Sequence, residues 1–266
     1  MTTDTIRSRE DAVLLSEIAA NAGAIMLANG AEVYRVEDTV ERIIRSKDSI
    51  KDVDVWSSFN VIIISFSYEG HIHSNVRRVK SRSNNLYYVD KVNTFSRNFS
   101  KGLYSLDEAV VQIEEIKKSK GVPARYKIFG ATVAGGAYSF LIGAGLMEIV
   151  GALFVALTGY AFTLFLEKNK LNYFVVHFLY GFFVALISTL VSLLTSANND
   201  IIIISAMMAF LPGMLITNAV RDVMSGDAIS GMTGAAIAIL ISIGLALGVA
   251  IPISLFSYMG LIWHYY

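Results

Sequence analysis

The chain has 266 residues, of which 54% are hydrophobic and 17% charged, and its 22 basic and 22 acidic side chains cancel. That is too apolar for one soluble domain of ordinary composition, and balanced charge leaves no basic surface to collect phosphates, so nucleic acid is excluded as a partner. The absence of cysteine excludes disulfides, thiolate metal sites and a cysteine nucleophile.

The charge is unevenly spread. Residues 1–124 hold 17 of the 22 Lys+Arg and 17 of the 22 Asp+Glu, which leaves five of each sign for the remaining 142 residues. The sequence therefore predicts an α+β cytoplasmic domain over 1–124 and a transmembrane domain over 125–266. At the start, Arg7 and Arg9 precede "AVLLSEIAANAGAIMLANG". Glu17 interrupts this run and no small-residue cleavage site follows cleanly, so it reads as an amphipathic helix and not as a signal peptide. Leu14, Leu15, Ile18, Ala22, Ile25 and Met26, then Val33, Val36, Val40, Ile43 and Ile44, recur at helical steps. Asn29-Gly30 divides them into two helices, the first closed by a left-handed residue and the second starting near Ala31.

The helical charges of "EVYRVEDTVER" (Glu32, Arg35, Glu37, Asp38, Glu41, Arg42) are spaced for intrahelical ion pairs and read mostly as a solvated face. Paired carboxylates can also do acid–base work, but no Ser/His/Asp grouping or elbow motif stands near them, so an enzyme is not expected. "VDVWSSFNVIIISFSYEGHIHSNVRRV" reads as three antiparallel strands near 53–58, 60–68 and 71–80, with a turn at Glu69-Gly70. His71 and His73 share a strand face, which is half of a metal site or simply a solvated face; no third ligand is spaced to match, and neither a metal nor a cofactor is expected. "RRVKSR" (Arg77, Arg78, Lys80, Arg82) either touches anionic headgroups or protects a solvated strand edge. A helix follows up to Gly102, and "SLDE" at 105–108 is a capping box that opens a last helix to about Lys118.

Beyond Lys127 the charge-free windows predict spans near 128–147, 149–166, 173–195, 201–219 and 231–255, since about 20 apolar residues cross a bilayer. The last is taken as one helix with an aromatic tail, although two helices broken near Pro252 would also fit. Arg125, Lys127, Lys168, Lys170 and Arg221 all fall on one side of these spans, and Glu148 and Asp200 on the other. The positive-inside rule then puts the amino-terminal domain in the cytoplasm and the carboxyl terminus outside. "GATVAGGAYSFLIGAG" and the Gly244/Gly248 pair allow close helix approach, either within the chain or at a subunit interface. His177, about one turn inside a span, is either functional or interfacial.

The most informative stretch is "FLPGMLITNAVRDVMSGDAISG", residues 210–231. Pro212-Gly213 should break its helix, and broken helices in membrane proteins often line substrate sites. Thr217, Asn218, Arg221, Asp222 and Asp227 follow the break. An arginine there can hold a carboxylate through two hydrogen bonds, or act only as an interfacial anchor.

Together "NGAEVYRVEDTVERI" (29–43), "RRVKSRSNNLYYVDKVNTFSR" (77–97) and "LPGMLITNAVRDVMSGDAISG" (211–231) resemble three sequence blocks of the threonine/serine exporter (ThrE) family, in particular its separate amino-terminal-domain subunits. The family-like positions are Asn29, Gly30, Glu32, Tyr34, Arg35 and Glu37 in the first block, Arg82, Asn85, Val92, Asn93, Ser96 and Arg97 in the second, and Pro212, Gly213, Asn218, Arg221, Asp222, Gly226, Asp227 and Gly231 in the third. The resemblance implies a cytoplasmic domain followed by five spans, and export of small metabolites: threonine and serine, or C4-dicarboxylates such as succinate in the split members. It implies a separate small membrane subunit similar to YjjB as partner, with the Gly244/Gly248 face as one place for it to pack; a homo-oligomer also fits. Where the family has an Asp in the loop between the first two spans, this chain has "LMEIVG", and Glu148 stands in its place.

The sequence thus reads as a cell-membrane exporter subunit. Arg221 would hold the substrate carboxylate, Asn218 and Thr217 would add hydrogen bonds, and Asp222 or Asp227 would couple protons or orient Arg221. The competing reading is a membrane-anchored cytoplasmic hydrolase or sensor whose spans only locate it, for which one span would suffice.

Overall fold

The computed structural model describes residues 6–80, 82–169 and 171–260. They divide into two compact units. One holds the residues up to Gly121 together with Met214–Ala235; the other holds Val122–Gly213 and the residues from Ala236 on.

The first unit opens with α1 (Arg9–Ala28), whose start is closed by a capping box between Ser8 and Asp11. Helix α2 (Val33–Arg45) follows, then the strands β1 (Lys51–Ser57), β2 (Val61–Tyr68) and β3 (His71–Arg78), an antiparallel meander in the order β1-β2-β3. Glu69 and Gly70, with φ of 49° and 73°, make the β2–β3 turn, which seats Tyr68 opposite His71 and Val61 opposite Arg78. Alternation sends Ile62, Ile64, Phe66 and Tyr68 inward. They join Leu15, Ile18, Ala22 and Met26 of α1, and Val36, Val40, Ile43 and Ile44 of α2, in one buried cluster. Each such large side chain contributes about 1.5–3 kcal/mol relative to exposure. Helices α3 (Leu86–Ser100) and α4 (Leu106–Lys118) close the cluster with Val89, Val92, Phe95, Phe99 and Ile113, α4 starting from the Ser105/Glu108 capping box.

Helix α1 is long and apolar enough to cross a membrane by composition. Its apolar surface is instead spent on the core: it touches α2, α3, α4, β2 and β3. The predicted amphipathic stripe is for this reason a broad band, reaching Ala12, Ala19, Ala20 and Gly23 as well. Gly23 is needed for the packing, since a Cβ there would sit 2.9 Å from the Ile62 side chain.

The second unit contains α5 (Ala124–Leu141), α6 (Leu146–Lys168), α7 (Tyr173–Thr195) and α8 (Asn199–Met207) with a 3-10 turn (Met208–Phe210). Beyond Pro212, α9 (Gly213–Met224) follows, and α10 (Ala228–Tyr258) runs unbroken through Pro252. Besides α1, the helices α6, α7 and α10 are long and apolar enough to cross a membrane, and α8 with α9 passes the same test as one broken pair.

The helix expected near 128–147 is shorter. It ends at Leu141 because Gly143, at φ 76°, terminates it, and the Gly143 and Ala144 amides turn back to Phe140 and Ser139. With Arg125 and Lys127 in its first turn, α5 is not among the helices that pass by length and composition.

The Gly244/Gly248 face, offered above as a place for a partner, is taken within the chain. A Cβ at Gly244 would lie 3.2 Å from the Phe174 ring, and one at Gly248 2.9 Å from the Phe182 amide nitrogen, so α10 crosses α7 backbone to backbone. Gly181 of α7 completes the crossing against the Leu245 carbonyl, which a Cβ there would approach to 2.6 Å.

Candidate functional site

Helix α2 begins two residues later than its apolar pattern suggests, because residues 30–32 form an extended link. Gly30 has φ 88°, and a Cβ on it would come within 2.9 Å of Asn84 Oδ1; both facts require glycine. The segment 83–85 is hydrogen-bonded to the residues just before this link. Ser83 N–H donates to Ala28 C=O at 2.7 Å, and Asn85 N–H to Asn29 C=O at 3.1 Å. Ser83 Oγ donates to Asn29 Oδ1 at 3.1 Å.

Arg82, read above as part of a headgroup-facing or solvated run, is tucked beneath the link. Its guanidinium donates to Phe59 C=O at 2.9 Å and to Ala31 C=O at 3.5 Å, and stacks 4.1 Å over the Phe59 ring. Burial pulls its proton affinity below the ordinary guanidinium range, and the nearby Asp222 carboxylate opposes that shift.

Helix α9 grips the other side. Asn218 Nδ2 donates to Gly30 C=O at 2.9 Å. Asp222 Oδ1 accepts the Val33 N–H at 3.1 Å, and so caps α2 from a distant part of the chain. The first N–H of a helix needs an acceptor and its positive end favours a carboxylate. Residue 32 occupies the cap position without capping, because its own carboxylate is bound elsewhere: Glu32 Oε2 pairs with Arg35 at 3.2 Å, and Glu32 Oε1 with Arg221 Nη1. The Glu32 side chain is 9% exposed and that of Arg221 50% exposed. A nearly enclosed carboxylate thus holds Nη1 of an arginine whose side chain is half exposed.

Two more carboxylates stand close. Glu37, one turn along α2, accepts the Ser57 N–H at 2.7 Å. Burial pushes its pKa up from 4.5 to about 6, the hydrogen bond from Ser57 opposes this, and Asp227, Asp222 and Asp54 add to it. Asp227 follows the left-handed Gly226 and donates its N–H to Asp222 C=O at 2.8 Å, which folds the α9–α10 turn back on itself. Gly231 lets α10 pass close to α9, where a Cβ would lie 2.6 Å from Ala219 C=O. Ser230 Oγ then reaches Ser58 Oγ at 3.4 Å.

The structure thus brings together Asn29, Gly30, Glu32, Arg35, Glu37, Asn218, Arg221, Asp222 and Asp227. Tyr34 and Arg97 are exposed, and Asn93 is half-buried on α3, where its C=O accepts Ser96 Oγ. Thr217 lies exposed on α9. Pro212 and Gly213 form the break, with Leu211 extended and the Gly213 N–H turned back to Leu211 C=O at 2.8 Å. His177 is packed in α7, its Nδ1 on Tyr173 C=O at 2.8 Å and its ring stacked on Tyr173. Glu148, in the first turn of α6, accepts the Asn198 N–H at 3.0 Å and ties two connections of the second unit together.

Of the acidic helical run, Asp38 forms an expected i,i+4 pair with Arg42, and Glu41 pairs with Arg45 beyond the run. Glu32 and Glu37 do not belong to that solvated face. His71 lies against Arg9 and His73 stacks on Phe66 at 5.4 Å; among the described residues no group of three or more His, Asp or Glu is placed to hold a metal. Ser57, Ser58, Ala31 and Ser83 at this site carry no signal in the sequence, because their backbone groups or small hydroxyls do the work.

A chain with several helices apolar enough for a bilayer and a small sheet-bearing unit is a multi-pass α-helical membrane protein. The family model described as "Putative threonine/serine exporter" (ThrE) matches residues 17–256, and the chain belongs to this family, a family of transporters. No curated protein and no solved structure matches it.

Proposed function

We propose that this protein is the larger subunit of an exporter that moves small carboxylate-bearing metabolites out of the cell by alternating access. Threonine and serine are its first candidates and C4-dicarboxylates such as succinate its second, with a separate small membrane subunit completing the path. The sheet-bearing unit lies on the cytoplasmic side. The observation that carries this reading is Arg221, which already holds one carboxylate, that of Glu32, while half its surface remains exposed.

A guanidinium has five donors and binds carboxylates edge-on. A substrate carboxylate therefore either adds to Arg221 or displaces Glu32 from it. Displacement would loosen α9 from the link between α1 and α2, which gives substrate a way to change the conformation of the helix after Pro212. Glu37, whose pKa burial raises to about 6, is better suited to carry a coupled proton than Asp222, whose carboxylate is committed to the α2 amide.

The test is efflux from cells loaded with labelled threonine or labelled succinate, with and without the small subunit. Export of either substrate that appears only with both proteins, and is lost in Arg221→Gln at unchanged membrane level, supports the reading. Full efflux in Arg221→Gln refutes the role of the arginine, and no efflux under any pairing refutes transport of these metabolites.

A further inference from the structure

The sheet packs its Ile62, Ile64 and Phe66 face into the core, and the strand register fixes what stands on the other face. Trp56 of β1 lies opposite Ile63 of β2, and Ile63 opposite Val76 of β3. The three form one row across the sheet, since directly opposed residues share a face. They are 45%, 38% and 64% exposed. In the row on one side of this, Val61 sits opposite Arg78; in the row on the other side, Ser65 sits between Asp54 and Ser74. Arg78 and Asp54 are both exposed, and they occupy opposite corners of a patch centred on Ile63.

An exposed apolar row rimmed by charge marks a contact site, and the charges select the occupant. An anionic bilayer surface suits this face poorly. Of Arg77, Arg78, Lys80 and Arg82, Arg77 turns to α1 and meets Glu17 at 3.5 Å, and Arg82 lies beneath the link. Arg78 is the one that alternation puts on this face, and Asp54 offsets it. A second copy of the chain suits the face well, because two sheets can pack face to face with their strands crossing steeply. A two-fold axis in the contact plane, through Ile63 and perpendicular to the Arg78–Asp54 diagonal, sets Arg78 of each copy over Asp54 of the other. The same axis lays Ile63 on its own counterpart and Trp56 over the Val61–Ile63 stretch of the second copy. Both charges are met by one operation, as a self-complementary contact requires.

We propose that two copies of this chain meet through the outer face of the β1-β2-β3 sheet, Ile63 against Ile63, with an Arg78–Asp54 pair on either side. Strands of seven and eight residues make this face roughly 14 by 25 Å. That is short of the about 800 Å² per partner of a stable complex. The contact is therefore weak between free molecules and forms between chains that one bilayer already holds at high effective concentration.

The chain has no cysteine, so a single introduced one reports cleanly on the full protein in membranes. Ile63→Cys, at the axis, is expected to give a disulfide-linked dimer on mild oxidation. Val111→Cys on α4, at a position that is more exposed at 55%, is expected to give none. Arg78→Asp or Asp54→Arg, each added to Ile63→Cys, sets like charges face to face and should lower the cross-link at least about tenfold. Both together reverse the pair and should restore it, which a mere loss of folding would not.

Absence of an Ile63→Cys dimer, with or without the small subunit, overturns the proposal. So does an equal yield from Val111→Cys, which marks random collision, or a yield indifferent to the charges at 54 and 78. A benzophenone maleimide on the Ile63→Cys thiol that captures the small subunit and not a second copy assigns the face to that subunit and overturns it too. Maleimide labelling that falls in phosphatidylglycerol vesicles but not in phosphatidylcholine vesicles, with no dimer, assigns the face to lipid, with the same result.

Discussion

Arg221 and Glu32 differ in exposure more than in chemistry, and that difference sets what each can do. The enclosed Glu32 side chain, 9% exposed, has two cationic partners in Arg35 and Arg221, whereas the Arg221 side chain is 50% exposed and in part open to solvent. Arg221→Lys keeps the charge and loses the two-donor edge. Threonine efflux is expected to fall in this variant nearly as far as in Arg221→Gln if carboxylate geometry matters, and to stay near wild type if charge alone suffices.

Glu37 gives a pH dependence of definite sign. Its pKa in the folded protein is raised to about 6 from 4.5, so between these values the folded state holds a proton that the unfolded chain has released. Its contribution to stability is therefore fully present below about pH 4.5 and is lost as pH rises through about 6. Glu37→Gln keeps an acceptor for the Ser57 N–H and has nothing to titrate. The Tm of wild type is expected to decline relative to that of Glu37→Gln between pH 4.5 and 6.5, and parallel Tm curves would show that Glu37 titrates normally.

At the scale of elements, the link 30–32 is the piece on which three distant stretches meet. Gly30→Ala would put a side chain at φ 88° and drive a Cβ to within 2.9 Å of Asn84 Oδ1. A loss of about 1–3 kcal/mol is expected, seen as a lower Tm; an unchanged Tm would mean that the link is not held as described.

Local chemistry made much of this region legible from sequence. Asn29-Gly30 ends α1, Glu69-Gly70 turns the β2–β3 hairpin, and Ser105 and Glu108 cap α4. What sequence could not give was the pairing itself. Asn218 and Gly30 lie 188 positions apart, and no periodicity in either segment says that one seeks the other. The same holds for Glu32 and Glu37, whose spacing on a helix matches that of the solvated Asp38 and Glu41, and which differ only in what packs against them. Gly143 was overlooked for another reason: within a glycine-rich apolar run, a helix-ending glycine looks like a packing glycine.

For the whole molecule, the uneven spread of charge between residues 1–124 and the remainder was the most telling feature, because it separates a unit that buries its apolar surface internally from helices that leave it exposed. Helix α1 has the hydropathy of a span, yet it lies in the charged part of the sequence and is the core of the sheet-bearing unit. Residues 214–235 lie outside that part and follow an apolar run, yet fold with the same unit. The three sequence blocks that carry the family likeness converge there through Gly30, Glu32, Arg82, Asn85, Asn218, Arg221 and Asp222. A motif with this geometry does more than anchor a helix if, as proposed, Arg221 serves two carboxylates in turn.

The measurement that tests this most directly is threonine efflux and Tm for a charge swap, Glu32→Arg with Arg221→Glu, beside the two single variants and in the presence of the small subunit. Each single variant is expected to lose both Tm and efflux. The swap should regain the larger part of the lost Tm, because the ion pair is restored in reverse, yet remain without efflux, because a glutamate at 221 cannot hold a substrate carboxylate. Wild-type efflux from the swapped protein would contradict the account and leave Arg221 a structural tie alone.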